Sequence, residues 1–216
     1  MANTRTTIEW TDATWNVVTG CSKVSPGCKN CYAEAVANRF WAKQYPPIPS
    51  VVNGEPDGRD RRFTDVQCHP DRLEQPLHWR KPQRIFVNSM SDLFHEDVPD
   101  EFIFQVFGVM FLAKQHTFQI LTKRAERMLD CCLRAAKDPT SYIWAWASEL
   151  QQGSVDVPQT ITFPLSNVHL GVSVENQKYA DERIPKLLQT PAAKRFVSYE
   201  PALGPINWGA IPAPGC

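Results

Sequence analysis

What most constrains this chain is a hydrophobic period that switches repeatedly between that of a strand and that of a helix. Residues 84–88 (RIFVN) are a short apolar run that stops at the small polar string Ser89-Met90-Ser91-Asp92. Residues 117–121 (TFQIL) and 168–174 (VHLGVSV) repeat the form and stop at Thr122-Lys123-Arg124 and at Glu175-Asn176. Between these runs the apolar residues stand three and four apart: Phe102, Ile103, Val106, Phe107 and Met110 after Pro99, then Met128, Leu129, Cys132 and Leu133. Short apolar runs ending in polar loops predict buried strands, and the wider spacing predicts amphipathic helices. The same reasoning predicts a first strand within residues 7–18, a helix over about 30–43, a helix over 179–188 interrupted at Pro185, and a last strand end at Tyr199-Glu200-Pro201. Strand followed by helix, repeated about five times, is the order of an α/β fold with a parallel sheet and outer helices. Right-handed crossovers then leave two forms, an open doubly wound sheet or a barrel. In both, the ligand site lies where the carboxyl ends of the strands gather their loops.

With 216 residues, 43% of them hydrophobic, the chain is long enough for one domain with a full core. Residues 46–62 and 139–164 break the alternation and are expected to be insertions into that single domain. The 23 basic and 23 acidic side chains balance, so bulk charge argues for no polyanionic partner. Residues 59–84 hold a local excess of Lys and Arg with Phe63 and Trp79 among them, which fits either a basic nucleic-acid surface or a solvated charged face. No 18-residue apolar run and no amino-terminal signal core occurs, so a soluble cytoplasmic protein is expected.

Three of the seven cysteines, Cys21, Cys28 and Cys31, fall in one loop directly before the first predicted helix. Pro26 and Gly27 supply a turn able to bring Cys21 back toward the C-x2-C pair. Thiolates this close suit soft metals: an iron–sulfur cluster, zinc or cuprous copper. A closed tetrahedral site needs four ligands. Either Cys68 or His69 supplies the fourth, or the fourth position stays open for a substrate or cofactor, as in a catalytic cluster. Cys131 and Cys132 are expected to divide between the core and the flank of one helix.

The strings IEWTDATWN, GCSKVSPGCKNCYAE, FVNSMSDLFHEDVP, FQILTKRAERM, LGVSVENQ and FVSYEPALGPI span residues 8–206. They resemble a phage and bacterial family of uncharacterised radical-SAM-like proteins with a three-cysteine motif. The SMSD and LTKR strings are also distantly similar to the spore photoproduct lyase branch of the radical S-adenosylmethionine enzymes. The spacing here is C-x6-C-x2-C where that superfamily commonly has C-x3-C-x2-C. The resemblance implies a partial (β/α) barrel of radical-SAM type, and a chain that stops before the final strands of its relatives. It implies that Cys21, Cys28 and Cys31 ligate a 4Fe-4S cluster, that S-adenosylmethionine takes the open iron, and that an electron donor reduces the cluster to yield a 5′-deoxyadenosyl radical. By the same resemblance Tyr32 packs on the adenine, Ser89, Ser91 and Asp92 meet the methionine amino group, Lys123 meets its carboxylate, and Ser173 and Glu175 meet the ribose. Glu200 falls to either substrate contact or barrel packing. A nucleic acid is the favoured substrate class. The alternatives are a non-enzymatic zinc-binding nucleic-acid module and an inactive truncated relic.

Overall fold

The computed structural model describes residues 6, 8–44, 51–52, 55–56, 62–150 and 161–211. Along the chain run β1 (Ala13–Trp15), β2 (Val18–Thr19), α1 (Tyr32–Gln44), the short strands β3 (Val51–Val52) and β4 (Glu55–Pro56), β5 (Gln67–Cys68) and β6 (Arg84–Val87). There follow α2 (Asp100–Leu112), β7 (Thr117–Thr122), α3 (Ala125–Lys137), a π-helical turn Thr140–Trp144 that passes into α4 (Ala145–Leu150), β8 (Val168–Ser173), α5 (Gln177–Gln189) and β9 (Lys194–Ser198).

The main sheet has five strands in the order β1-β6-β7-β8-β9, and every neighbouring pair is parallel. The order never reverses, and right-handed crossovers between successive neighbours carry their helices to one face of such a sheet. Register identifies that face. Ile85 pairs with Phe118 and Val87 with Ile120, and Ile120 pairs with Leu170. These residues are buried with Phe102, Ile103, Val106 and Met110 of α2 and Met128 of α3 in one core. The alternate positions Phe86, Leu121, Gly171, Phe196, Ser173 and Ser198 face the other way, because successive side chains on a strand point to opposite sides. Gly171 is required there: a Cβ would come within 2.5 Å of the Phe196 ring.

The first predicted strand is shorter than residues 7–18. β1 pairs with β6, and the chain then leaves the main sheet to pair β2 with β5, antiparallel, through Val18 with Cys68 and Thr19 with Gln67. Asn88 fixes the departure. Its backbone is left-handed (φ 62°), a conformation that asparagine tolerates, and its side-chain oxygen accepts the Val18 amide at 3.0 Å. α5 runs unbroken through Pro185, because Tyr179, Ala180 and Arg183 before the proline and Ile184 and Leu187 around it are all buried, so packing outweighs the one lost hydrogen bond. Cys131 and Cys132 are both 1% exposed, where a division between core and flank was expected. Of the predicted insertions, residues 46–62 lie outside the described residues except for β3, β4 and Arg62, and 139–164 are described at 139–150 and 161–164. Among the described residues no helix is long and apolar enough to cross a membrane.

Candidate functional site

The cysteine loop hangs from the end of the small β2–β5 sheet. Gly20 turns it with φ 93°, and a Cβ there would lie 2.6 Å from the Asp65 carbonyl oxygen, so the turn needs glycine. The Gly20 amide donates to the Met90 carbonyl at 3.1 Å and the Cys21 amide to Phe63 at 2.9 Å. The loop is thereby tied to the carboxyl end of β6 on one side and to residues 62–65 on the other. Cys21 and Cys31 pack against a small apolar cluster of Ala33, Ala37 and Phe63.

A cavity of about 450 Å³ opens where the loop meets the strand ends. Cys21, Cys28 and Cys31 line it from one side, and Ser89, Ser91 and Asp92 after β6, Lys123 after β7 and Ser173 at the end of β8 line it from the sheet. All three cysteines are half-buried free thiols. Burial, reinforced by the Asp92 carboxylate, pushes the Cys21 thiol up to about 12 against the opposing pull of Arg124. Cys68 and His69 stay out of the cavity wall: Cys68 is in β5, and His69 is buried with Nε2 2.7 Å from Thr19 Oγ1. Among the described residues, no group of three or more His, Cys, Asp or Glu is drawn together tightly enough to hold a single metal ion.

The strand ends differ in hydrogen-bonding sense. Ser89 Oγ donates to Asn16 Oδ1 at 3.1 Å and Ser91 Oγ to the Val18 carbonyl at 3.0 Å. Each hydroxyl has spent its proton and keeps lone pairs as acceptors. At the ends of the neighbouring strands, Lys123 Nζ donates to Ser173 Oγ at 2.6 Å, and Ser173 in turn donates to the Glu200 carbonyl at 2.9 Å. That single bond leaves the ammonium two further donors. The end of β6 therefore offers hydrogen-bond acceptors to the cavity, and the end of β7 offers a cation.

Asp92 and Glu175 are committed elsewhere. Asp92 accepts from Thr122 Oγ1 at 2.7 and 2.9 Å, from the Phe94 and Lys123 amides, and from Arg124 Nη1 at 3.3 Å. Glu175 is fully buried outside the lining, paired with Arg183 at 2.9 Å and bonded by Ser25 Oγ of the cysteine loop. Tyr32, 56% exposed at the mouth, donates to the Ser89 carbonyl at 3.3 Å, and Glu200 is exposed on the rim.

Residues 5–211 match the family described as a protein of unknown function, DUF5131. The chain belongs to that family. No curated protein and no solved structure matches it.

The residue that links the most partners around the candidate site is one that the sequence offered only as part of a strand-end string, Arg124. Its Nε donates to Glu96 at 2.8 Å and its Nη2 to Ser22 Oγ at 2.8 Å, while Nη1 lies 3.6 Å from Cys21 Sγ and 3.3 Å from Asp92. Ser22 Oγ also meets His95 Nε2 at 2.8 Å and donates to Glu96 at 3.0 Å. Burial, then the neighbouring Arg124, holds His95 below the usual imidazole range, and the Arg124 hydrogen bond holds Glu96 down at about 2. The only sequence signal for this network is position: Arg124 follows a strand and Ser22 follows a cysteine.

Proposed function

We propose that this chain is an iron–sulfur, radical S-adenosylmethionine-like enzyme whose parallel sheet is part of a (β/α) barrel of that type. One observation carries the reading: three thiols of a single loop open onto the strand-end cavity, whose sheet side carries both serine acceptors and a lysine cation to suit the two charges of an amino acid. Ser89 and Ser91 offer acceptors to an ammonium group, and Lys123 offers a cation to a carboxylate, as a bound methionine moiety requires. Cys21, Cys28 and Cys31 would each hold a different iron of a 4Fe-4S cluster, which calls for wider separation than ligands of one ion and leaves an iron open. When bound, the cluster and S-adenosylmethionine supply one-electron cleavage of the sulfonium, giving a 5′-deoxyadenosyl radical after reduction by an electron donor.

The remaining roles belong to the chain. Ser173 orients Lys123, and Asp92 fixes the turn between Thr122 and Arg124 that aims both cations. Trp10, 37% exposed, and Tyr32 flank the mouth with aromatic faces, which supports a nucleic-acid substrate whose bases stack on such faces. The buried carboxylate of Glu175, engaged by Ser25 and Arg183, acts in this reading on the loop rather than on a ribose.

Anaerobic reconstitution with iron and sulfide tests the proposal. The expected product is a brown protein that loses its colour in Cys28→Ala and, with dithionite and S-adenosylmethionine, releases 5′-deoxyadenosine. A colourless protein that retains one zinc ion, or a cluster-loaded protein that yields no nucleoside, overturns it.

A further inference from the structure

We infer that Arg124 is a positioning residue for Cys21, fixing the charge and the hydrogen bond at that sulfur and so setting the reduction potential of the cluster it holds. The inference rests on the iron–sulfur reading above and extends it to a residue outside the cysteine motif.

Arg124 is built into place. Its side chain is 9% exposed, clamped by Glu96 at one edge and Asp92 at the other. Two of its donors reach the cysteine loop, Nη2 to Ser22 Oγ at 2.8 Å and Nη1 toward Cys21 Sγ at 3.6 Å. A guanidinium holds such a fork rigidly, whereas an ammonium on a flexible stem supplies the charge without the geometry. Hydrogen bonds and positive charge at a ligating sulfur offset the negative charge that the cluster gains on reduction, and so raise its potential. Glu96 and Asp92 act the opposite way. Of the two, Glu96 reaches Arg124, Ser22 and, at 3.5 Å, His95 Nε2, so it can be neutralised without touching a cysteine or the Asp92 turn.

A role confined to holding the loop would change cluster content or stability while leaving the potential of loaded protein where it was. The experiment therefore compares midpoint potentials of the anaerobically reconstituted full chain in wild type, Arg124→Gln, Arg124→Lys and Glu96→Gln, followed by cluster absorbance and electron paramagnetic resonance. At the wild-type midpoint, Arg124→Gln is expected to show a reduced-to-oxidised ratio about ten-fold smaller, which for one electron is about 59 mV. Arg124→Lys should fall between the two, and Glu96→Gln should shift in the opposite sense by less. A wild-type midpoint in Arg124→Gln at full iron content overturns the inference and leaves the proposed function standing. Wild-type protein that assembles no cluster overturns both. If Arg124→Gln does not load, the other two variants decide, and wild-type midpoints in both overturn the inference.

Discussion

Gly27 of the cysteine loop sits directly on Glu175 of the β8–α5 junction: a Cβ at position 27 would lie 2.4 Å from Glu175 Cγ and 2.6 Å from its Oε1. Glu175 has no freedom to retreat, because Ser25 bonds one carboxylate oxygen and Arg183 the other. The loop and the far side of the sheet are thus joined at a single close approach. Gly27→Ala is expected to cost about 1–3 kcal/mol, the range for an added methyl group in a packed site. Urea unfolding measures the loss, and a variant as stable as wild type contradicts this account of the junction.

The carboxylate beneath that glycine is paired under cover. Glu175 and Arg183 have side chains 0% and 2% exposed, and the guanidinium also lies 4.4 Å from the Tyr179 ring centroid. Breaking such a pair from one side strands a buried charge and typically costs about 3–5 kcal/mol. Glu175→Ala is expected to lose that much, and Arg183→Leu added to it should restore part of the loss. Chemical denaturation of the two single variants and the double variant completes the cycle. Strict additivity would show that the two side chains act independently.

The sheet was legible because its strands and helices keep their periods: β6, β7 and β8 begin and end within a residue or two of the apolar runs at 84–88, 117–121 and 168–174, and β9 stops just before the expected strand end at Tyr199. The site was legible to the extent that strand ends determine it, which brought Ser89, Ser91, Lys123 and Ser173 to one cavity with the three thiols. What remained hidden depends on closure between distant segments. Arg124 meets Ser22 across 102 positions, and Ser25 meets Glu175 across 150. No local period encodes either contact. Arg183 gave no warning for a related reason: on a helix with many polar residues, its burial is decided by the carboxylate waiting at position 175.

Stability should fall with acid before the carboxylates titrate. His116 is 1% exposed, with Nδ1 accepting the Gln83 amide at 3.2 Å and Nε2 at 3.1 Å from the Pro76 carbonyl. Burial lowers its proton affinity below the ordinary 6.5, and His95 and His169 are lowered too, burial again being the main cause. A histidine depressed in the fold binds fewer protons there than in the unfolded chain. Its contribution is complete above pH 6.5 and erodes as pH falls through that value toward the depressed one. Unfolding free energy is therefore expected to be flat between about pH 7 and 8 and to decline below about 6.5. His116→Gln should be less stable at pH 8, yet lose less between pH 6.5 and 5. Curves for the two proteins that stay parallel over this interval would rule out the assignment.

Lys123 allows binding to be separated from folding. Its ammonium makes one hydrogen bond, to Ser173, and no ion pair among the described residues, so removing it exposes no buried countercharge. Arg124 beside it cannot take over, since its donors are committed to Glu96, Ser22 and Asp92. A hydrogen bond to a charged group contributes about 1.5–3 kcal/mol, so Lys123→Met is expected to weaken S-adenosylmethionine binding by roughly 10- to 100-fold. Its melting temperature should stay within a few degrees of wild type, in the range of ordinary substitutions away from the core. Calorimetric titration of reconstituted protein measures the first and a thermal melt the second. The same titration with methionine methyl ester, which lacks the carboxylate charge, should give equal affinities for wild type and variant. If the ester also discriminates between them, Lys123 acts on the shape of the cavity and not on a carboxylate.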